Sequence, residues 1–245
     1  MTKKVVKRKL NVKALLVMLL TIYLIGMIIY YLFTMPIKRI IINGNNLLTD
    51  NDIITTASLT DYPPIFRTSS NEIKKKIEQL DIVKEATVSK SIKGTLTITI
   101  EEEIVLFYNK PTEKYYLSNM QQVEITSLTG VPTLINYTPS NILENLIKKM
   151  KLTNKDILSS VSEIKYSPDI KNEVMIDENR FILSMNDGNT VHINIANFDK
   201  LEQYKKLFAV IGEEKKGTFY LDGIGTNILF KEYGAEGEDK VELPE

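Results

Sequence analysis

The sequence predicts an α+β protein: a single N-terminal transmembrane helix, a β-α-α-β-β domain, then a mixed α/β domain with an antiparallel sheet. Three observations carry this. No charged residue occurs from Ala14 to Ile37. Thr95–Ile100 reads TLTITI, apolar at every second position, which is the period of a half-buried strand. Phe181, Leu183 and Met185 alternate on one arm and Val191, Ile193 and Ile195 on another, around the hairpin turn Asn186-Asp187-Gly188-Asn189.

Within Ala14–Phe33 only Thr21 and Gly26 are neither apolar nor tyrosine. Twenty helical residues span about 30 Å, the thickness of a bilayer's hydrocarbon core. A cleaved signal peptide would end at small residues, but this stretch runs into Tyr30-Tyr31-Leu32-Phe33-Thr34-Met35-Pro36. Residues 14–36 are therefore read as an uncleaved span. Residues 1–13 hold six cations and no acid, whereas the other 232 residues hold 25 cations against 31 acids. The positive-inside bias makes residues 1–13 a basic cytoplasmic tail and puts the body outside, with the C-terminus extracytoplasmic.

Residues 37–103 carry the first exported unit. Ile37–Ile42 is a β-branched run stopped by Asn43-Gly44-Asn45-Asn46. Thr49-x-x-Asp52 resembles a helix cap, and Ser69-x-x-Glu72 is a full capping box. Ile73, Ile77 and Leu80 then share one helix face. Val83–Ser91 and Thr95–Ile100 are two strands around Lys93-Gly94.

Residues 104–233 form the second unit. Val105–Tyr108, Tyr115–Leu117 and Gln122–Ile125 are short strands, Pro132–Tyr137 is extended, and Ser140–Met150 is amphipathic. The 180–195 hairpin leads into an amphipathic helix over Phe198–Ile211 and two terminal strands near Thr218–Leu221 and Asn227–Tyr233. Residues 234–245 (GAEGEDKVELPE) read as a flexible acidic tail.

These segments, in this order, resemble the FtsQ/DivIB family of bacterial cell-division proteins. The β-α-α-β-β unit after one anchor looks like a POTRA domain: its first strand ends in Asn43-Gly44-Asn45, Phe66 precedes its second helix, and Thr95–Glu103 ends it. Lys93-Gly94 stands where the family often has a proline. Ser162-Glu163-Ile164, Met185-Asn186-Asp187-Gly188-Asn189 and Gly217–Asp222 are similar to further family segments. The resemblance implies a divisome scaffold at the septum, binding FtsL-like and DivIC/FtsB-like bitopic proteins outside the membrane and influencing septal peptidoglycan synthesis. It places the partner edge at Tyr220, Leu221, Asp222, Ile228, Leu229, Phe230 and Tyr233, with Tyr220, Leu229 and Phe230 as anchors. Whether Leu229 or Phe230 faces partner or core stays open.

The residues themselves offer little chemistry. Zero cysteines exclude disulfides, thiolate metal sites and cysteine nucleophiles, and one histidine, His192, excludes a multi-histidine metal site. No phosphate-binding glycine loop, G-x-S-x-G, S-x-x-K or H-E-x-x-H occurs. Glu101-Glu102-Glu103 follows an alternating strand, so its side chains point to opposite faces and read as a wet strand end. The expectation is a non-enzymatic protein with no cofactor, no metal, no small-molecule substrate and no nucleic acid, because the body is mildly acidic. A POTRA-bearing export or assembly factor and an anchored cell-wall hydrolase are the competing readings.

Overall fold

The computed structural model describes residues 11–126, 128–212, 214–223, 228–234 and 239–241, the last three as backbone. The chain divides into two compact units, Met1–Glu102 and Glu103–Glu245.

The first unit opens with α1 (Val12–Thr34), long and apolar enough to cross a membrane and with no residue buried inside the protein. Its two threonine hydroxyls are satisfied within the helix: Thr21 donates to the Val17 carbonyl at 2.8 Å, and Thr34 to the Tyr30 carbonyl at 2.8 Å. A bilayer requires this, since it offers no water to such groups.

Three strands and two helices follow. β1 (Arg39–Asn43) pairs in parallel with β3 (Thr95–Glu102), and β2 (Val83–Lys90) pairs antiparallel on β3's other side. The sheet order is therefore β1-β3-β2. α2 (Asp50–Thr56) and α3 (Ser70–Ile77) contribute Ile53, Ile73 and Ile77 to a core shared with Leu96, Ile98 and Ile100 of β3. The alternation of TLTITI sets which β3 side chains enter that core. The two caps exchange their expected strengths. Thr49 and Asp52 form the reciprocal box, whereas Ser69 accepts from the Glu72 amide at 3.4 Å. Hydrogen bonding by Thr49 pulls the Asp52 carboxyl below its ordinary value.

The loop after β1 is fixed from a distance. The Glu102 carboxylate accepts from the amides of Asn46, Leu47 and Leu48 at 3.0, 3.0 and 3.1 Å. It is thus a loop clamp, where the sequence suggests only a wet strand end. Gly44 sits at φ +84°, and a Cβ there would lie 2.1 Å from the Ile100 carbonyl oxygen. Glycine meets both the conformational and the steric demand of this strand end.

The second unit is built on one ten-stranded mixed sheet. β4 (Val105–Asn109), β5 (Lys114–Leu117) and β6 (Gln122–Val123) make one end. β7 (Thr133–Leu134) bridges in parallel to β4 and to β8 (Val161–Tyr166), which sits mid-sheet. A separate hairpin, β9 (Asp169–Lys171) with β10 (Val174–Asp177), leaves Ile170, Val174, Met175 and Ile176 exposed. β11 (Arg180–Met185) and β12 (Thr190–Asn194) form the expected hairpin. β13 (Gly217–Tyr220) joins β12 in parallel, and β14 (Ile228–Glu232) pairs antiparallel with β13.

α4 (Ser140–Leu152) and α6 (Tyr204–Ile211) share a core with the sheet, including Leu146, Phe181, Tyr204, Phe219 and Phe230; the short α5 (Lys155–Leu158) adds Ile157 and Leu158. The helix expected over Phe198–Ile211 begins as a 3-10 turn at Phe198–Gln203, which buries Phe198 and Leu201.

Within residues 234–245, expected from sequence to be a flexible acidic tail, one short strand is described. Asp239–Val241 form β15, antiparallel to β14, with Ile228 opposite Val241 and Phe230 opposite Asp239. Unpaired edge amides and carbonyls invite a partner strand, and here the chain supplies one.

Candidate partner-binding edge

The hairpin motif at 185–189 organises the approach to the edge. Asp187 accepts from the Asn189 amide at 3.0 Å, closing the turn, and from the Tyr204 hydroxyl at 2.7 Å. Asn189 is buried: its side-chain amide donates to the Tyr204 hydroxyl at 3.0 Å, and its carbonyl oxygen accepts from the Gly217 amide at 2.9 Å. One turn therefore fixes the start of both α6 and β13. Burial, followed by the Asp187 contact, raises the Tyr204 phenol well above its ordinary value, so it stays protonated and donating.

β13 and β14 have two unlike faces. Phe219, Ile228 and Phe230 are fully buried, with the Phe219 and Phe230 rings 4.8 Å apart and Phe219 edge-on to Tyr204 at 5.4 Å. On the other face the register aligns Ile182, His192, Tyr220 and Leu229 in one row across four strands, all half-buried. His192 meets the Tyr220 ring edge-on at 4.9 Å. Exposed Lys231 and Tyr233 extend this surface, and the Tyr233 hydroxyl hydrogen-bonds Thr190 Oγ1 at 2.7 Å.

The seven sequence-assigned edge residues thus divide. Tyr220, Leu229 and Tyr233 lie on the accessible side. Leu221, Ile228 and Phe230 are core residues, so Phe230 cannot be a side-chain anchor; it and Ile228 offer an incoming strand only backbone. Leu229 takes the outer position because the strand alternates. Asp222 is held inside the protein: its carboxylate accepts from Arg180 Nε at 2.6 Å, with both side chains largely buried. Asn227, which begins the expected last strand, lies outside the described residues.

The Arg180 clamp also reaches His192, whose Nδ1 lies 2.5 Å from the guanidinium and accepts from it. Burial, then the Arg180 charge, pushes His192 below the ordinary imidazole range, against an opposing pull from Asp222. Lys200 and Asn197 donate to the Gly223 carbonyl at 2.9 and 3.2 Å, pinning the chain as it leaves β13. Spacing does not reveal these contacts, since Arg180 and Asp222 are 42 residues apart. Among the described residues no cluster of three or more metal-ligating side chains occurs.

Residues 35–103 match the family model of the FtsQ-type POTRA domain. The chain is 30% identical over 237 residues to the cell division protein DivIB of Bacillus subtilis strain 168, covering 93% of this chain and 86% of that protein. The Listeria monocytogenes cell division protein DivIB is 26% identical, covering 97% of this chain and 88% of the relative. The solved major extracytoplasmic domain of DivIB from Geobacillus stearothermophilus aligns with 24% identity and a TM-score of 0.36, covering 45% of this chain and 95% of that domain. With near-complete coverage by relatives of one name and an FtsQ-type POTRA domain behind an apolar helix long enough to cross a membrane, the chain belongs to the DivIB family of cell division proteins and has a divisome role.

Proposed function

We propose that this chain is a non-enzymatic scaffold at the division septum, with its N-terminus in the cytoplasm and its body outside the membrane. It holds FtsL-like and DivIC/FtsB-like bitopic proteins there and through them influences when septal peptidoglycan synthesis proceeds. In this reading β14 receives a strand from the DivIC/FtsB-like partner. Main-chain hydrogen bonds supply affinity, and the half-buried Tyr220 and Leu229 supply selectivity on the outer face.

The observation that carries the reading is the end of the ten-stranded sheet, where among the described residues β14 has only the three-residue β15 beyond it. A binding event of this kind acts by shifting populations of the assembled complex and requires no reacting group. Leu229→Pro, which interrupts β14, should abolish capture of the partner's extracytoplasmic segment while leaving α1 inserted. Wild-type capture by a folded Leu229→Pro chain would sink the edge-pairing idea.

A further inference from the structure

We propose that β15 (Asp239–Val241) is a displaceable cover for the partner edge, so that capture proceeds by strand exchange rather than by addition to a free edge. The inference rests on β14 being that edge. β15 occupies it backbone to backbone, with Ile228, Leu229 and Phe230 opposite Val241, Lys240 and Asp239. These are three of the five residues of β14, so an incoming strand and β15 compete for the same amides and carbonyls.

The two neighbours of β14 are unequal. On one side β13 brings Phe219 against Phe230 within the core. On the other side stand three residues, Asp-Lys-Val, from a stretch with little apolar or β-branched content. Two-stranded pairing of this length is marginal in water, so the covered and open edges exchange readily. Gly234, two residues past the end of β14, has a φ of +84° that suits a glycine. By sequence, residues 234–245 carry five acids and one lysine, a charge opposite to that of Lys231, which β14 exposes. A cover of this type shields the edge from indiscriminate pairing and reduces the partner's apparent affinity by the open fraction.

The test uses the full-length chain in lipid nanodiscs beside a chain ending at Gly234 and the variant Lys240→Pro, since proline disrupts pairing in a strand. Amide exchange across Ile228–Glu232 is read without any partner. Binding of the purified extracytoplasmic segment of the host's DivIC-type protein is read alongside. Both variants should exchange about tenfold faster in this strand and bind the segment roughly threefold to thirtyfold more tightly. Unchanged exchange in both variants would overturn the cover. Faster exchange with measurable but unchanged binding would overturn the competition, because the partner would then bind elsewhere. Faster exchange with no binding by any of the three chains would support the cover and remove the edge-pairing reading on which its regulatory role depends.

Discussion

Gly217→Ala is expected to detach the last strands of the sheet while leaving the rest of the second unit folded. A Cβ at this position would lie 2.2 Å from the Lys231 carbonyl oxygen and 2.7 Å from the Phe230 ring. Neither neighbour can yield cheaply. Lys231 belongs to β14, whose pairing with β13 the carbonyl would have to leave, and Phe230 is wedged against Phe219. The Gly217 amide is also committed to buried Asn189, so β13 cannot simply slide away. Overpacking that forces backbone movement typically costs about 1–3 kcal/mol, and with backbone on one side and a packed ring on the other the cost here should be about 3 kcal/mol or more. Hydrogen exchange should show the loss concentrated in Ile228–Glu232, with β8, β11 and β12 retaining protection. Thr218→Ala, half-buried on the other face, should cost less than about 1 kcal/mol. Native protection of β14 in Gly217→Ala would contradict the strand packing described above.

Arg180→Ala is the second large effect, and it carries a pH signature. The variant leaves the Asp222 carboxylate largely buried without its ion-pair partner, which should cost about 2–3 kcal/mol. In the parent protein His192 binds its proton less readily folded than unfolded, chiefly through burial and then through Arg180. Its contribution is therefore fully present above the unfolded imidazole value of about 6.5 and is lost as pH falls through the lower folded value. Removing Arg180 deletes one cause of that lowering and keeps Asp222, which pulls the other way. The acid-side loss due to His192 should shrink in Arg180→Ala and vanish in His192→Gln. Pulse-labelled exchange of the second unit in urea, compared at pH 7.5 and 5.5, measures both quantities. An equal loss of stability on acidification in all three proteins would show that His192 does not report on this clamp.

What was legible in the sequence was local. Apolar alternation places Leu96, Ile98 and Ile100 in one core and Phe181, Leu183, Val191 and Ile193 in the other. The 185–189 turn is readable as a hairpin, although its buried reach to Tyr204 and Gly217 is not, because those partners lie 15 and 28 residues away. By strand alternation Glu102 reads as a solvated strand end, whereas its carboxylate accepts from amides 54 to 56 residues earlier. Asp222 looked available because nothing near it in sequence reveals Arg180. β15 has no strand signature of its own; Asp-Lys-Val becomes a strand only because β14 offers an edge. The β9–β10 hairpin escaped for a related reason: its apolar residues are exposed, so core-face alternation could not identify it. The proposed edge is consequently narrower than the sequence implies. Tyr220, Leu229 and Tyr233 hold side-chain positions on its accessible face, while Ile228 and Phe230 offer backbone alone.

The most direct test of the edge as a partner site is photo-cross-linking in living cells of the host, with the reactive residue placed singly at Leu229, Lys231 or Tyr233 and, as a distant control, at exposed Lys148 of α4. The account predicts adducts with the DivIC/FtsB-like protein from the β14 positions and none from Lys148. No adduct with that protein from Leu229, Lys231 or Tyr233 in dividing cells, or adducts from Lys148 alone, would contradict it.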